Sequence, residues 1–475
     1  MSYNYPMSSI SAIELHVRTY RSALKSNQEV AINSLKNTYV KMKPLLGSLD
    51  ALAYTLSRLP PQIDQTKTVI VGQRPEVFAK TGFTNVRSWP QVNGYARRRT
   101  THFDKKTRTL AIFTASISDI DDIVNLLLAY QIETNKIHSL ASFSPSSHLK
   151  TALGKNWQKR LSIFRRRPTN LRLRLLTGTW NDYAKTTQKW WKNIARTTDP
   201  KIHMSRQTIY FVSSNTYSIT GLINNPTAVI SIPSAHYLDI NTQIIPVKSL
   251  AKSKKLDPHL KIKNKKKLTQ SEALIFNIDY PLGFAAYLIL TEIFQNVAKI
   301  KGVYIMGKAA VLNGEIGDIQ IPKVVFDEHT QNTYLFQNCF NQSFPFKHPH
   351  GSIITNQKAV SVLGTFLENQ ALINKYSKNN FTIIEMESGP YLSAISQATY
   401  DQITPKNTII DLNPAPFDIG IINYTSDTPY SKTKNLGSHQ DSQLLIQPIR
   451  LSSLAILQRI INLEENTQTL KQKPN

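Results

Sequence analysis

The chain has 475 residues, of which 41% are hydrophobic and 9% aromatic, and 57 Lys and Arg stand against 31 Asp and Glu, a formal net charge of +26. These fractions exclude a largely disordered chain. One hydrophobic core rarely serves so many residues, so we predict an N-terminal α/β accessory domain at 1–200 and a second domain at 205–475.

The sequence favours neither a membrane protein nor a secreted one. Its apolar runs stay below the roughly 20 residues of a membrane span, and the first residues lack the apolar centre of a signal peptide. The single Cys339 excludes an intrachain disulfide framework and a multi-cysteine metal site, and we expect it to be a core residue. We therefore predict a cytoplasmic protein without a membrane partner.

The N-terminal half alternates helical and extended patterns. Its predicted elements are helices over 9–59, strands at 66–71 and 108–113, and a long helix whose N-cap lies within 116–119. Asp119, Asp121 and Asp122 open that helix. Carboxylates at a helix start stabilise its dipole, so we prefer this role to a metal site and predict no metal.

Clusters of cationic residues interrupt the chain. They are Arg97-Arg98-Arg99, Arg165-Arg166-Arg167 with Arg172 and Arg174, and the lysine-rich segment 248–267. Guanidinium groups suit phosphate because they bind its oxygens in pairs, whereas a solvated basic face is the alternative. The lysine segment is expected to be an exposed loop with nonspecific affinity for polyanions. The aromatic segment 177–191 is expected to pack in a core or between domains.

In the second half, helices and strands alternate as in a helix-covered, largely parallel sheet. Strands are predicted at 207–213, 228–232, 303–306, 317–322, 324–327, 352–355, 381–384 and 419–424, and helices at 284–300, 356–370, 391–400 and 444–463. A tight turn, 307–310, is expected to end the strand at 303–306. Small residues at the carboxyl end of a strand are typical of ligand sites in open α/β sheets, so a site is predicted here.

Three strand ends follow in a fixed order: MGKAAVLNGEIGDIQIP at 306–322, IIEMESGP at 383–390 and YTSDTP at 424–429. Together, over about 205–463, they resemble the nucleoside phosphorylase and nucleosidase superfamily, which includes purine nucleoside phosphorylases, methylthioadenosine nucleosidases and AMP nucleosidases. The resemblance implies an α/β fold with a mixed, mostly parallel central sheet flanked by helices.

The same resemblance implies roles for single residues in cleaving an N-glycosidic bond. Glu387 would accept both ribose hydroxyls, and Met386 would pack on the sugar. Asp427, preceded by Ser426, would protonate or hydrogen-bond the purine, which requires a raised pKa. Gly307 would let the ligand approach the backbone closely. Purely structural carboxylates at helix starts are the alternative for Glu387 and Asp427.

Departures from the superfamily pattern bear on the reaction. The positions of its phosphate-binding arginines hold Met306 and the segment 213–216, which contains Ser214 and Asn215. No phosphate co-substrate site is evident, which favours hydrolysis over phosphorolysis. The segment also lacks the glutamate with which the hydrolases activate water.

Three further residues are candidates for the site. Glu328 could take the part of the missing glutamate, and His329 could contact the base. Lys308 replaces a small residue and would either bind an anionic group or block the site. Asp318 is expected to hold a turn.

The leading hypothesis is a nucleosidase-like enzyme that cleaves a purine nucleoside or nucleotide without a cofactor, with the N-terminal domain covering or regulating the site. One alternative is a catalytically silent nucleotide-binding or sensing protein on the same fold. Another is a nucleic-acid-binding protein that uses the basic surface. By resemblance, a homo-oligomer is expected.

Overall fold

The computed structural model describes residue 22 and residues 28–38, 49–90, 99–114, 116–138, 144–166, 170–176, 180–198, 202–223, 228–234, 238, 240–253, 256–365, 370–400, 406–429 and 442–466. Two β-sheets with covering helices organise these residues, the smaller in the N-terminal half and the larger in the C-terminal half. The predicted mixed α/β class is confirmed.

The smaller sheet has five strands in the order β1-β5-β2-β4-β3. Its strands are β1 (Glu29–Ala31), β2 (Thr68–Gly72), β3 (Arg99–Asp104), β4 (Thr109–Thr114) and β5 (Arg172–Leu176). The strands β5, β2 and β4 run parallel in the middle, and β1 and β3 pair antiparallel at the edges. Nearly every residue of β2 and β4 is buried, as expected of strands covered on both faces.

The larger sheet has eleven strands, ten of them in the order β15-β12-β11-β13-β14-β10-β6-β9-β8-β7. They are β6 (Thr208–Ser214), β7 (Ile230–Ile232), β8 (Thr242–Pro246), β9 (Leu274–Asp279), β10 (Lys299–Val311), β11 (Ile319–Asp327), β12 (Asn332–Leu335), β13 (Ile353–Ser361), β14 (Ile383–Glu385), β15 (Ile409–Asp411) and β16 (Asp418–Asp427). Parallel ladders join β6 to β9 and β10, and β13 to β11 and β14. Antiparallel ladders join β7, β8 and β9 at one end.

Helices cover both faces of the larger sheet. The helices of the described residues are α1 (Leu49–Leu56), α2 (Pro75–Ala79), α3 (Ile117–His138), α4 (Ser147–Leu153), α5 (Trp157–Leu161), α6 (Trp180–Thr197), α7 (Thr216–Ile223), α8 (Lys248–Lys252), α9 (Lys265–Thr269), α10 (Ala285–Asn296), α11 (Gln370–Lys378), α12 (Ser388–Tyr400) and α13 (Ser442–Asn466). Side chains alternate across a strand, so Ile209 and Phe211 of β6 pack with α6, α10 and α12, while Tyr210 and Val212 pack with α7 and α13.

Strand β16 closes part of the larger sheet on itself. It pairs parallel with β10 and antiparallel with β11, where Tyr424 lies opposite Ile319. β11 is in turn joined to β10 through β13 and β14. The five strands β10, β16, β11, β13 and β14 therefore form a closed ring, and the ring brings together segments that are far apart in the sequence.

The two halves of the chain share one hydrophobic cluster. Leu56 and Leu59 of the N-terminal half and Ala310 and Met386 of the C-terminal half belong to the same set of buried, mutually packed residues. The aromatic face of α6 also crosses the predicted boundary, because Trp190 packs on Phe276 of β9, with ring centroids 6.3 Å apart. The expected packing role of the aromatic segment is confirmed for Trp190 and Trp191.

Helix α3 is buried over most of its length although its first turns are acidic. Arg99, a buried residue of β3, places its Nε 2.8 and 2.7 Å from the two carboxylate oxygens of Asp119, and Thr114 donates to the same carboxylate at 2.6 Å. Arg99 thus neutralises a core carboxylate and is not a phosphate ligand; Arg97 and Arg98 lie outside the described residues. Within the described ranges, no group of three or more His, Cys, Asp and Glu side chains is placed to hold a metal ion.

The last helix, α13, corrects the expectation that no apolar segment is long enough to span a membrane. By length and composition, the segment Leu444–Asn466 of α13 is long and apolar enough to cross a membrane. However, 67% of its apolar window is buried inside the protein, where Leu454 and Leu457 pack against the larger sheet. This burial is typical of the core helix of a globular fold.

The helical prediction over 9–59 is wrong at 29–31, which form β1 and pair with β5. Two further local predictions are wrong. The segment 307–310 is not a turn, because β10 continues through it to Val311, with a shift in its register against β16 between Ala309 and Ala310. Residues 356–361 are not helical but complete β13, where Asn356 adopts a positive φ of 57° beside an irregularity in its ladder with β11. In both places hydrogen-bonding partners on neighbouring strands override the local pattern.

The buried Asp121 of α3 makes stability depend on pH. Burial, with Asp122 as a smaller cause, raises the pKa of Asp121 well above its ordinary value. As the pH increases, the unfolded chain loses this proton first, so the free energy of unfolding falls between about pH 4 and the raised pKa. We expect Asp121→Asn to increase the free energy of unfolding at pH 7, with a gain that shrinks toward pH 4.

Urea denaturation at several pH values measures this effect. Glu76→Gln, a change at an exposed carboxylate, is the control and should alter stability little at any pH. A gain for Asp121→Asn that is equal at pH 4 and pH 7, or no gain at all, would contradict the assignment.

Candidate functional site

The ring of strands gathers the three predicted strand ends at one place. Ala310 of β10 lies opposite Asp427 of β16 on one side and opposite Ile384 of β14 on the other. Since neighbouring strands are about 4.8 Å apart, Asp427 and Ile384 are separated by roughly 10 Å across Ala310. The segments 306–322, 383–390 and 424–429 therefore border one site.

Asp427 ends β16 in a buried position, with 5% of the residue exposed. Ser426 Oγ lies 2.6 Å from Asp427 Oδ2 and 3.3 Å from the carbonyl oxygen of Ala309. The hydroxyl thus connects the carboxylate to the strand beside it, and the extra residue of β16, Ser426, sets Asp427 opposite Ala310. Such contacts hold the carboxylate in a fixed orientation.

The two glutamates of 385–387 have different surroundings. Glu385 is buried, and its Oε2 accepts from the amides of Glu387 and Ser388 at 2.8 and 2.7 Å, which anchors the start of α12. Burial raises the pKa of Glu385, and its hydrogen bonds, first that from Ser361, oppose the rise. Glu387 is half-buried, and its Oε1 lies 3.3 Å from the amide nitrogen of Gly283. Glu385 therefore positions the backbone from which Glu387 reaches the site.

Helix α3 of the N-terminal half touches the site at Gly283. Ser118 Oγ accepts from the amide of Phe284 at 3.3 Å, and Ser116 Oγ donates to the carbonyl of Leu282 at 3.2 Å. A Cβ added at Gly283, which has a φ of +60°, would lie 2.2 Å from Ser118 Oγ and 3.7 Å from Met386 Cε. Only glycine permits this approach.

Two tyrosine hydroxyls lie close to the carboxylates. Tyr280 follows β9, and its hydroxyl is 3.4 Å from that of Tyr424 on β16. Burial raises the pKa of Tyr424, with Tyr280 and Glu387 adding to the rise. Tyr424 therefore stays neutral, so its hydroxyl can both donate and accept a hydrogen bond.

Lys308 is the exposed residue in the buried second half of β10. It lies opposite Tyr424 in the ladder. The surrounding protein removes water from its ammonium group and lowers the pKa of Lys308; Asp427 opposes this shift and Arg58 adds to it. The charge of Lys308 is thus influenced by one carboxylate and one guanidinium group, although its side chain is exposed.

Glu328 and His329 lie at the end of β11, and their side chains are already engaged. Glu328 is buried, its Oε2 accepts from the amide of Leu363 at 2.8 Å, and its Oε1 accepts from the hydroxyl of Tyr376. These contacts disfavour Glu328 as the water-activating base. His329 Nδ1 lies 2.8 Å from Asp327 Oδ1, and its ring centroid is 5.9 Å from that of Phe284.

The remaining predicted ligands hold the backbone around the site. Ser214 Oγ donates to Asn277 at 2.8 Å, and the Ser214 carbonyl accepts from the amide of Tyr280. Asn215 Oδ1 accepts from the amide of Tyr217 at the start of α7. The structure thus gives Ser214 and Asn215 roles in fixing the chain that carries Tyr280.

Met386, Gly307 and Asp318 differ in what they contribute. Met386 is 8% exposed and packs in the cluster shared by the two halves. A Cβ added at Gly307 would meet no atom within 4 Å, so open space lies beside β10 there. Asp318 accepts from the amides of Glu315 and Ser352 at 2.8 and 2.7 Å, which confirms its role in holding a turn.

The lysine-rich segment is ordered where it is described, which corrects the expectation of a simple loop. It contains α8 and α9, and Leu260 and Leu268 are buried in the cluster that α13 shares. Its exposed lysines are Lys248, Lys252, Lys261, Lys263, Lys265 and Lys266. They give this ordered segment a basic surface.

A family model covers most of the chain. The family of unknown function DUF6909 matches residues 32–146, 141–230 and 224–462. The chain belongs to this family. No curated protein matches the sequence.

Solved structures similar to this DUF6909 chain are nucleosidases and phosphorylases. The 5′-methylthioadenosine/S-adenosylhomocysteine nucleosidase from S. pneumoniae, solved with a transition-state inhibitor, is 12% identical, with 54% of this chain and 100% of that chain covered and a TM-score of 0.34. Uridine phosphorylase from Vibrio fischeri is 10% identical, with 54% and 91% covered and a TM-score of 0.35. 5′-Methylthioadenosine nucleosidase from Arabidopsis thaliana is 9% identical, with 55% and 97% covered and a TM-score of 0.34. At TM-scores this low, the likenesses carry no argument about activity.

Sequence reasoning missed four residues of the DUF6909 site. Tyr424 opens the strand-end segment 424–429, and a search for hydroxyls beside the carboxylates would have found it. Tyr280 lies shortly before the predicted helix at 284–300, where no strand end was predicted. Ser118 and Arg58 come from the N-terminal half. Nothing in the local pattern around either residue indicates a partner in the other half of the chain.

The contact between Gly283 and Ser118 can be tested by substitution. Gly283→Ala forces a methyl group against Ser118 and strains a positive φ, so we expect a loss of about 1–3 kcal/mol in the free energy of unfolding. Gly283→Ala combined with Ser118→Gly removes the collision but keeps the strain, and should recover part of that loss.

Urea denaturation of the two single variants and the double variant gives their coupling energy. Gly82→Ala is a matched control, because Gly82 also has a positive φ but no atom within 4 Å of its added Cβ. Additive losses in the double variant would show that the two residues are not in contact.

Proposed function

We propose that the chain cleaves the N-glycosidic bond of a purine nucleoside or nucleotide, by hydrolysis. The observation that carries the proposal is the position of Ala310, which has Asp427 on one side and the segment 383–385 leading to Glu387 on the other. The motif resemblance supports the same assignment. We propose a cytoplasmic homo-oligomer as the working form.

In the proposed reaction, the carboxyl groups of Glu387 and Asp427 have different roles. Glu387 accepts hydrogen bonds from the ribose hydroxyls, which holds the sugar while positive charge develops on its ring. Asp427 in its acid form gives a proton to the purine as the bond from nitrogen to the anomeric carbon breaks. A water oxygen then bonds to that carbon and releases a proton. The products are a free purine and a free sugar or sugar phosphate.

Conservative changes to these carboxyl groups test the proposal. We expect Asp427→Asn to lower the rate of base release by about 10²- to 10⁴-fold, because an amide cannot supply the proton. Glu387→Gln should lower it as well, because a neutral amide stabilises the developing charge less. Chromatography of a panel of purine nucleosides and nucleotides after incubation measures the released base.

Glu272→Gln, at an exposed carboxylate outside the site, is the control and should leave the rate unchanged. Thermal denaturation shows whether each variant is folded. If the folded Asp427→Asn variant releases base at the rate of the unaltered protein, Asp427 is not the proton donor.

The pair of Asp327 and His329 supports hydrolysis as the form of the reaction. The carboxylate of Asp327 accepts from Nδ1–H, so Nε2 is the ring nitrogen that can accept a proton. The ring makes a tilted contact with Phe284, next to Gly283, whose amide contacts Glu387. We assign His329 as the base that takes the proton from the attacking water.

This assignment predicts a loss of rate without a loss of binding. His329→Asn should reduce base release by at least about 100-fold while the dissociation constant of the nucleoside changes little. Single-turnover kinetics and calorimetry measure the two quantities. An equal loss in binding and rate would indicate that His329 contacts the base of the substrate instead.

A catalytically silent binding protein is the second candidate. Both carboxylate oxygens of Glu328 already accept hydrogen bonds within the protein, which disfavours Glu328 as a base. Ser214 and Asn215 occupy the place where the superfamily pattern has a glutamate, and they also hydrogen-bond within the protein. Both observations favour a binding protein without catalytic activity. Purine nucleosides or nucleotides would then bind with no release of base from any of them.

A further inference from the structure

We propose that Gln320, Asn423 and Thr425 form a second binding site, within the ring of strands, for a small uncharged amide such as a carboxamide or a lactam ring. This site is separate from the carboxylates of Glu387 and Asp427, and it goes beyond the proposed function.

Three strands of the ring bring these polar side chains together. Gln320 of β11 lies directly opposite Asn423 of β16 in their antiparallel ladder, and Asn423 lies opposite Gly307 of β10 in the parallel ladder. Thr425 follows Asn423 on the same face of β16, because side chains alternate along a strand. Opposed residues of an antiparallel pair have their Cβ atoms about 4.5–5.5 Å apart, so one small molecule can contact both side chains.

The three side chains are buried, and each has a polar atom without a hydrogen-bond partner among the residues that the structure describes. Gln320 and Thr425 are fully buried, and Asn423 is 2% exposed. The atoms are Gln320 Oε1, Asn423 Nδ2 and Thr425 Oγ1. Gln320 Nε2 donates to the carbonyl oxygen of Asn313 at 3.2 Å, which fixes the orientation of the Gln320 amide. Since buried polar groups are almost always hydrogen-bonded, three such atoms on neighbouring strands indicate a ligand.

Gly307 leaves space next to these groups. A Cβ added there would meet no atom within 4 Å, although the neighbouring Met306 is fully buried. The ladder of β6 with β10 ends at Ile305 and that of β14 begins at Ala310, so among the described strands one edge of β10 has no partner in between. The missing side chain and the missing strand partner coincide at Gly307, which leaves room for a ligand beside Asn423.

The site lies on a different face of β10 from the position opposite Asp427. Ala309, which is opposite Thr425, packs in the hydrophobic cluster of α10 and α12, and Gly307 shares its face by alternation. Ala310, which is opposite Asp427, packs instead in the cluster that the two halves of the chain share. Neighbouring positions of the same two strands thus border two separate sites.

The chemistry of these groups selects an uncharged ligand. None of the three side chains carries a charge, and a buried ion without a counter-charge costs far more free energy than a neutral polar group. Asp318, two residues before Gln320, is already engaged by two backbone amides. Asn423 Nδ2 can donate, Gln320 Oε1 can accept and the hydroxyl of Thr425 can do either. An amide matches this set, because its C=O and N–H are adjacent and it bears no charge.

Calorimetric titrations with two pairs of amides test the proposal. The pairs are nicotinamide with N,N-dimethylnicotinamide and hypoxanthine with 1-methylhypoxanthine, in which methylation removes the N–H donor. We expect at least one unmethylated amide to bind, and to bind at least about 10-fold more tightly than its methylated partner, because the methyl group leaves Gln320 Oε1 unpaired. Water offers the same hydrogen bonds as an amide, so variants are needed to distinguish the two.

The variants remove either the hydrogen bonds or the space. Thr425→Val and Asn423→Leu keep the approximate shape of each side chain, and each should weaken amide binding by at least about 5-fold. Gly307→Val fills the space beside β10 and should abolish binding in a folded protein, since no atom opposes its Cβ. Thr242→Val is the matched control and should leave binding unchanged. Thr242 is also buried, with a hydroxyl that has no partner among the described residues, but it lies on β8, outside the ring.

Thermal denaturation establishes that each variant is folded, and the isosteric Thr425→Val keeps the test decisive if Asn423→Leu is not. Failure of all four compounds to bind, or an affinity that survives in Thr425→Val and Gly307→Val, overturns the site and indicates that water alone contacts these groups. Hypoxanthine that binds fully to Thr425→Val but not to Asp427→Asn also overturns the site and leaves the proposed function standing. Amide binding that depends on Thr425, with no release of base from any nucleoside, keeps the site and removes the enzymatic function.

Discussion

Strand β16 hydrogen-bonds to two strands at once, and this double pairing determines where the chemistry of the molecule lies. Its parallel ladder with β10 and its antiparallel ladder with β11 close a ring of five strands. Without the second ladder, β16 would be an ordinary edge strand and its last residue, Asp427, would lie at the margin of the sheet. With it, Asp427 is buried opposite Ala310, one strand away from the segment that leads to Glu387. The candidate site is a consequence of this closure.

The larger parts of this arrangement were accessible from the sequence. Apolar runs at the positions of β6, β10 and β16 predicted strands, and the order of the three strand-end segments indicated a shared site. Asp318 was expected to hold a turn, and its hydrogen bonds from the amides of Glu315 and Ser352 confirm this role. These features depend on residues close together in the chain, where periodicity and turn chemistry are informative.

What the sequence did not reveal depends on partners far along the chain. Small residues at 307–310 predicted a turn, but β14 and β16 supply ladder partners on both sides and the strand continues. Arg99 suited a phosphate until the structure placed it against Asp119. Nothing in the sequence around Ser118 or Arg58 indicates a role at the site. Ser118 contacts Phe284 only because α3 packs against the C-terminal half, and the residues around Arg58 belong to the hydrophobic cluster that the two halves share. Tertiary contact alone decides such cases.

The net charge of +26 therefore says little about phosphate binding by itself, because position decides what each cation does. Arg99 is paired with the buried carboxylate of Asp119. The exposed lysines of α8 and α9 lie on an ordered surface. Lys308 differs because it is exposed on β10 opposite Tyr424, and the charge of Asp427 opposes the lowering of the pKa of Lys308 that burial causes. The effect of each cation therefore depends on the strand or helix that carries it and on the carboxylates near it.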